Sequence, residues 1–219
     1  MENTKVITYI GKERCDIIYY LIKVAARLGK KILVVDNSGI QDLSGVYGLS
    51  GNEDKMRKKN VTICRQYIIS EEWRESAVNE FDFIFVYEGL KLQQVKVESD
   101  LLLIGCSFEK REIEIIKNMI GQNSDRKREI LILRDKTSAR FSVRTVMEML
   151  NMPPKKTENY VLEFDEFGYG GYVALTQSGD NEKIALRATA GKDTYDMIQE
   201  LASELYAITN RKDVKKYLA

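Results

Sequence analysis

Lys5 to Asp36 reads KVITYIGKERCDIIYYLIKVAARLGKKILVVD. Its opening, KVITYI (5–10), and its close, KILVV (31–35), are short apolar runs rich in β-branched residues, as buried strands are. Between them the period changes. Ile18, Leu21, Ile22, Ala25 and Leu28 recur at three- and four-residue spacing, so residues 15–28 predict a helix with one apolar stripe. Gly29 stands where a helix ends on a left-handed C′ residue. Strand, helix, strand over about 30 residues is a βαβ unit, whose crossover is right-handed.

The same alternation continues. Strand-like runs follow at VTICRQY (61–67), FDFIFVY (81–87), DLLLIG (100–105), EILIL (129–133), YVLEF (160–164) and KIALRA (183–188). Helical patterns lie at 71–79, 109–120, 139–150 and 192–208, the last with Met197, Ile198, Leu201, Ala202 and Leu205 on one face. The prediction is an α/β fold: a three-layer α/β/α, doubly wound, mostly parallel sheet of about eight strands. A single domain over 1–219 accommodates it. FDEFGYGGYVALTQSGDN (164–181) is dense in glycine and aromatics and reads as a tight connection with half-buried tyrosines. The basic runs KMRKKN (55–60) and DRKR (125–128) read as solvated loops.

Composition narrows the function. The net charge of +1 gives no global field for nucleic acid, which is not expected as a partner. Cys15, Cys64 and Cys106 form no disulfide framework, and without histidine no Cys/His zinc pattern can be written. A reducing, cytoplasmic compartment is the expectation. The first residues carry no signal-peptide pattern, and no apolar run approaches the ~20 residues of a membrane span. The lack of histidine also removes the commonest neutral-pH general base.

In a doubly wound sheet ligands bind at the carboxyl ends of the strands, which points to the turn after Ile10. That turn, GKERCD (11–16), has one glycine, two cations, two acids and a cysteine. A phosphate loop needs about eight residues to curl its N–H groups around an oxyanion. Asp16 is expected as the N-cap of the helix, its carboxylate taking the N–H groups that would otherwise attract phosphate. Cys15 is a poor ligand for a hard cation.

LGKKILVVD (28–36), FDFIFV (81–86) and the closing GDNEKIALRATAGKDTYDMIQELASEL (179–205) resemble the ParA/MinD family, deviant-Walker ATPases of the SIMIBI class of P-loop proteins. The resemblance implies a cofactor-binding turn at Gly11, Lys12, Arg14, Cys15 and Asp16. The Walker lysine falls near Arg14, with Lys12 in an alternative register, and the two threonines fall at Cys15 and Asp16. The family's signature lysine falls near Tyr9. Asp36 matches the second-strand acid, catalytic or metal-linked if the chain is active, although an Asx turn in DNSG explains it equally. Tyr87 stands where the Walker B aspartate belongs, and Glu88 reaches that place if the register slips by one.

The Walker elements are thus degenerate, and the expectation is a pseudo-ATPase that has kept the fold and lost the reaction. No cofactor is then expected, with ATP and Mg2+ the cofactors if the phosphate site works. What the resemblance implies is a homodimer that localises or assembles protein partners at a membrane-associated machine, as TadZ/CpaE-like factors do for pili or secretion. The alternative is a divergent, active partition-type ATPase. At the C-terminus Val214, Tyr217 and Leu218 share a helical face among basic residues. Over 210–219 this is a faint membrane-contact pattern, against the simpler reading of a terminal helix packed on the domain.

Overall fold

Among the described residues of the computed structural model, eight strands form one sheet in the order β3-β4-β2-β5-β1-β6-β7-β8. The structure describes residues 4–49, 53–65, 80–90, 99–121, 128–136, 142–152, 157–163, 166–178, 192–208 and 211–218. The strands are β1 Lys5–Gly11, β2 Ile32–Asp36, β3 Lys55–Lys58, β4 Val61–Arg65, β5 Phe83–Gly89, β6 Leu101–Cys106, β7 Glu129–Lys136 and β8 Glu158–Glu163. All pairs are parallel except β3 with β4. The helices are α1 Asp16–Arg27, α2 Asp42–Val46, α3 Lys110–Gly121, α4 Val143–Met149, α5 Glu166–Ser178, α6 Lys192–Leu205 and α7 Arg211–Leu218.

β1 lies between β5 and β6, and the chain leaves it through α1 toward β2. Strand β6 then starts the other half. The carboxyl end of β1 is therefore the switch point of the sheet, where crossovers diverge and leave a crevice. One face buries Ile7, Tyr9, Val34 and Phe85 against α1, α6 and α7. The other buries Ile10, Ile104 and Leu131 against Ile113 and Ile116 of α3 and Val146 of α4. Strands covered on both faces read as near-continuous apolar runs, as Phe83 to Val86 of β5 do, and β5 is buried throughout.

α1 ends as its sequence predicts. Gly29 has φ +76°, its N–H donates to the Ala26 carbonyl, and the Lys30 N–H donates to the Ala25 carbonyl. That pair of bonds is a Schellman closure. α4 begins on Ser142, whose hydroxyl accepts the Thr145 N–H at 3.1 Å.

Three expectations change. Residues 55–58 are an antiparallel edge strand, not a loop, although Lys55, Arg57 and Lys58 are exposed as expected. Residues 166–178 form helix α5, with Leu175 fully buried, where a connection was expected. Arg128 is tied to Glu158 and Glu204 rather than left in a solvated basic loop. The expected helix at 71–79 and strand at 183–188 lie outside the described residues.

The C-terminal helix takes the simpler of the two readings of 210–219, a terminal helix packed on the domain. Val214 is fully buried, and α7 packs on α1 and α6. Arg27 donates to the Tyr217 carbonyl at 2.6 Å. Val214→Asp should therefore lower stability by roughly 3 kcal/mol, measured by urea unfolding, because it buries an unpaired carboxylate. A residue facing lipid or water would leave the midpoint nearly unchanged. Among the described residues no helix is long and apolar enough to cross a membrane.

Candidate functional site at the first crossover

β1 runs through Gly11 and α1 starts at Asp16, so Lys12, Glu13, Arg14 and Cys15 make the whole connection. Gly11 sits at φ +115°, and a Cβ there would lie 1.8 Å from the carbonyl oxygen of Gly105. The chain is pressed against β6. The Lys12 N–H donates to that same carbonyl at 2.9 Å, extending the sheet ladder into the turn. Tyr9, in the position matched to the signature lysine, is fully buried, and its hydroxyl donates to the Lys12 carbonyl at 2.9 Å.

Asp16 is not the N-cap. That position belongs to Cys15, which makes no side-chain capping bond, and Asp16 is the first helical residue. Its Oδ1 accepts the Ile17 N–H at 2.8 Å, so it still takes one donor from the first turn. Its main partner is Arg134, whose guanidinium forks onto Oδ1 at 2.7 Å and Oδ2 at 2.6 Å. Arg14 Nε adds a third contact at 3.3 Å. Arg134 is 2% exposed and Asp16 6%. Burial alone would raise the Asp16 carboxyl, but Arg134 and Arg14 outweigh it and hold it below the usual carboxylate range.

Lys12 and Arg14, the two registers for the Walker lysine, meet on one carboxylate. Lys12 Nζ lies 2.5 Å from Asp135 Oδ2, and Arg14 Nη1 lies 3.3 Å from Asp135 Oδ1. The Arg14 guanidinium also stands 5.3 Å from the Tyr172 ring centre, a cation–π distance.

Cys15 is fully buried. Its N–H donates to Asp42 Oδ2 at 3.0 Å, and the Tyr172 hydroxyl donates to the same oxygen at 2.9 Å. Burial, then the charge of Asp42, pushes the Cys15 thiol well above its ordinary value. Burial likewise raises Asp42. Glu13 turns toward the gap between β2 and β5. Its Oε1 accepts the Gly39 N–H at 3.1 Å, and a Cβ on Gly89 would meet its Cγ at 2.8 Å.

Asp36 is fully buried, and both its oxygens accept hydrogen bonds. Oδ1 accepts the Ser38 N–H at 3.1 Å and its hydroxyl at 2.6 Å, while Oδ2 accepts the Ser44 N–H at 2.7 Å. That geometry is an Asx turn that also anchors the first turn of α2. Glu88, 2% exposed, accepts from the Asn37 amide at 2.9 Å. Tyr87 is fully buried, its ring centre 5.4 Å from that of Tyr9, and burial drives its phenol well above the ordinary range. No group of three or more Cys, Asp or Glu residues is arranged to hold a metal ion among the described residues.

The architecture recurs in solved structures at low identity. A ParA family ATPase from Chlorobium tepidum TLS superposes with a TM-score of 0.64 at 15% identity, over 94% of this chain and 100% of that one. The MinD cell division protein of Aquifex aeolicus gives 0.65 at 16%, over 94% and 99%. The fold is that of the ParA/MinD ATPases. The Aquifex aeolicus MinC:MinD complex matches at 0.59 and 17%, over 94% and 98%. No family model matches the chain, and no curated protein sequence matches it.

Within the ParA/MinD fold the connection from Gly11 to Asp16 lies at the switch point where the sequence placed it. Sequence reading named Gly11, Lys12, Arg14, Cys15, Asp16, Asp36 and Glu88, and the structure gathers them at one end of the sheet. It did not name Arg134, Asp135, Asp42 or Tyr172, which supply partners to Lys12, Arg14, Cys15 and Asp16. A signal for two of these existed: RDK (134–136) closes an apolar strand at the sheet end that carries ligands.

Proposed function

We propose that this chain is a non-catalytic ParA/MinD-like protein, a homodimerising localisation or assembly factor for protein partners at a membrane-associated machine such as a pilus or secretion apparatus. One observation carries the reading: the chain's own carboxylates already hold the groups that would receive a triphosphate. Asp135 takes Lys12 and Arg14, Asp16 takes Arg134 and the Ile17 N–H, and Asp42 takes the Cys15 N–H. Phosphoryl transfer needs cationic charge on the phosphates, a metal ligand and a positioned water.

The metal fares no better. Cys15 is a neutral thiol, Tyr87 a neutral phenol, and Asp36 spends its oxygens on Ser38 and Ser44. Mg2+ wants several hard oxygens in near-octahedral array, and these residues do not supply them. Mg-ATP therefore does not fit the turn. The homodimer and the protein partners come from the resemblance to ParA and MinD; the MinC:MinD complex supports the partner by analogy.

The purified chain should release no phosphate from Mg-ATP, and its melting temperature should be flat across millimolar nucleotide. A site with Kd a hundredfold below the ATP concentration would add about 2.7 kcal/mol. In a domain of this size that is a shift of roughly 5–10 °C. Such a shift, or steady turnover, would establish the active partition-type ATPase instead. Sedimentation should find a dimer whose dissociation constant is the same with and without nucleotide.

A further inference from the structure

The pairing of β7 with β8 shifts register between Leu133 and Lys136, and Asp135 sits in that irregularity at φ 55°. Such bulges re-aim side chains next to functional sites. Here consecutive residues both reach the β1–α1 turn, Arg134 to Asp16 and Asp135 to Lys12 and Arg14. The two pairs differ in access. The Arg134 and Asp16 side chains are 2% and 9% exposed, whereas those of Lys12 and Asp135 are 32% and 22% exposed. One pair is sealed, and the other stands at a rim that solvent and ions reach.

At that rim Lys12 offers an ammonium with three donors, and behind it Arg14, its side chain 9% exposed, offers a planar fork. Both suit oxyanions, and here both meet on the monovalent Asp135 carboxylate, with Arg14 reaching Asp16 as well. A diphosphate carries more charge and more acceptor oxygens than a single aspartate. We propose that Asp135 is a built-in counter-anion, closing an oxyanion site made by Lys12 and Arg14, so that removal of its charge opens the turn to a polyphosphate. The proposal rests on the reading above, that the wild-type turn does not take Mg-ATP.

The test is calorimetric titration of the full chain with inorganic pyrophosphate at low salt, wild type against Asp135→Asn. Asparagine keeps the shape of the side chain and tolerates the left-handed backbone of that position. Asp135→Gly, which also suits φ 55°, serves if the first variant is unstable. Either variant should bind pyrophosphate roughly 10- to 100-fold more tightly than wild type, the span expected of charge-assisted hydrogen bonds. The gain should shrink as salt rises and vanish when Lys12→Met is added. A folded variant with wild-type affinity, or a gain that survives Lys12→Met, overturns the proposal. Mg-ATP titrated into wild type is read separately: saturable binding there sinks the non-catalytic reading, while the variant-to-wild-type ratio for pyrophosphate still decides the role of Asp135.

Discussion

In urea titrations Arg134→Met should be less stable than wild type by about 3–5 kcal/mol, the range for removing one partner of a buried ion pair. Its guanidinium is sealed and forks onto both oxygens of Asp16, so the loss strands a carboxylate whose side chain is 9% exposed. Arg14 Nε, at 3.3 Å, offers only a longer and single contact in exchange. Arg134→Lys should recover part of the loss, because an ammonium reaches one oxygen and cannot fork. The double variant Arg134→Met/Asp16→Leu should recover most of it, since apolar replacement removes the desolvation of both charges. A cost below about 1 kcal/mol for the single variant would class the pair with surface ion pairs and sink the argument.

The same variant fixes a pH dependence. In the folded wild type the Asp16 carboxyl lies below its ordinary value, so its contribution is present above the unfolded carboxylate pKa and lost as pH falls through the folded one. In Arg134→Met the stranded carboxyl protonates more readily and the penalty relaxes. The stability gap between the two proteins should therefore be widest at neutral pH and narrow on acidification. It should close once wild-type Asp16 is also protonated. A gap independent of pH would place the lost energy in packing rather than charge.

How much of this was legible follows from the physics of each element. β1, β2, β5 and β6 are buried on both faces, and a run such as FIFVY has no other comfortable place in a soluble protein. α1 announced itself by period and by Gly29. β3 was missed because an edge strand is solvated: KMRK has one partly buried residue and carries the charges that keep edges from pairing. α5 was missed because EFGYGGYVALTQS carries three glycines in its first half, where propensity argues against a helix. Burial of Leu175 and the Tyr172 bond to Asp42 override that local preference. At the site, Asp16 was assigned by its position before a helix, and that logic supplies a cap. Its actual partner lies 118 residues away, where no local pattern reports it.

Gly11→Ala should prevent folding or cost on the order of 4 kcal/mol or more, one of the largest effects a single methyl can have. Two penalties coincide there. The backbone sits at φ +115°, a region L-residues avoid, and the added carbon would stand 1.8 Å from the Gly105 carbonyl oxygen. That oxygen is backbone in a central strand and already accepts the Lys12 N–H, so it cannot step aside without parting β1 from β6 at the switch point. Gly29 separates the two causes. It too has positive φ, at +76°, but a Cβ there meets nothing within 4 Å, so Gly29→Ala should cost only about 1 kcal/mol. Equal costs for the two, read from chemical unfolding with circular dichroism, would mean that φ alone governs Gly11 and that β1 does not press on β6. The expected disparity assigns the tightness of the turn to backbone contact across the sheet. It would also explain why only four residues suffice to join β1 to α1, since Lys12 is still held on the β6 ladder when the chain turns toward Asp16.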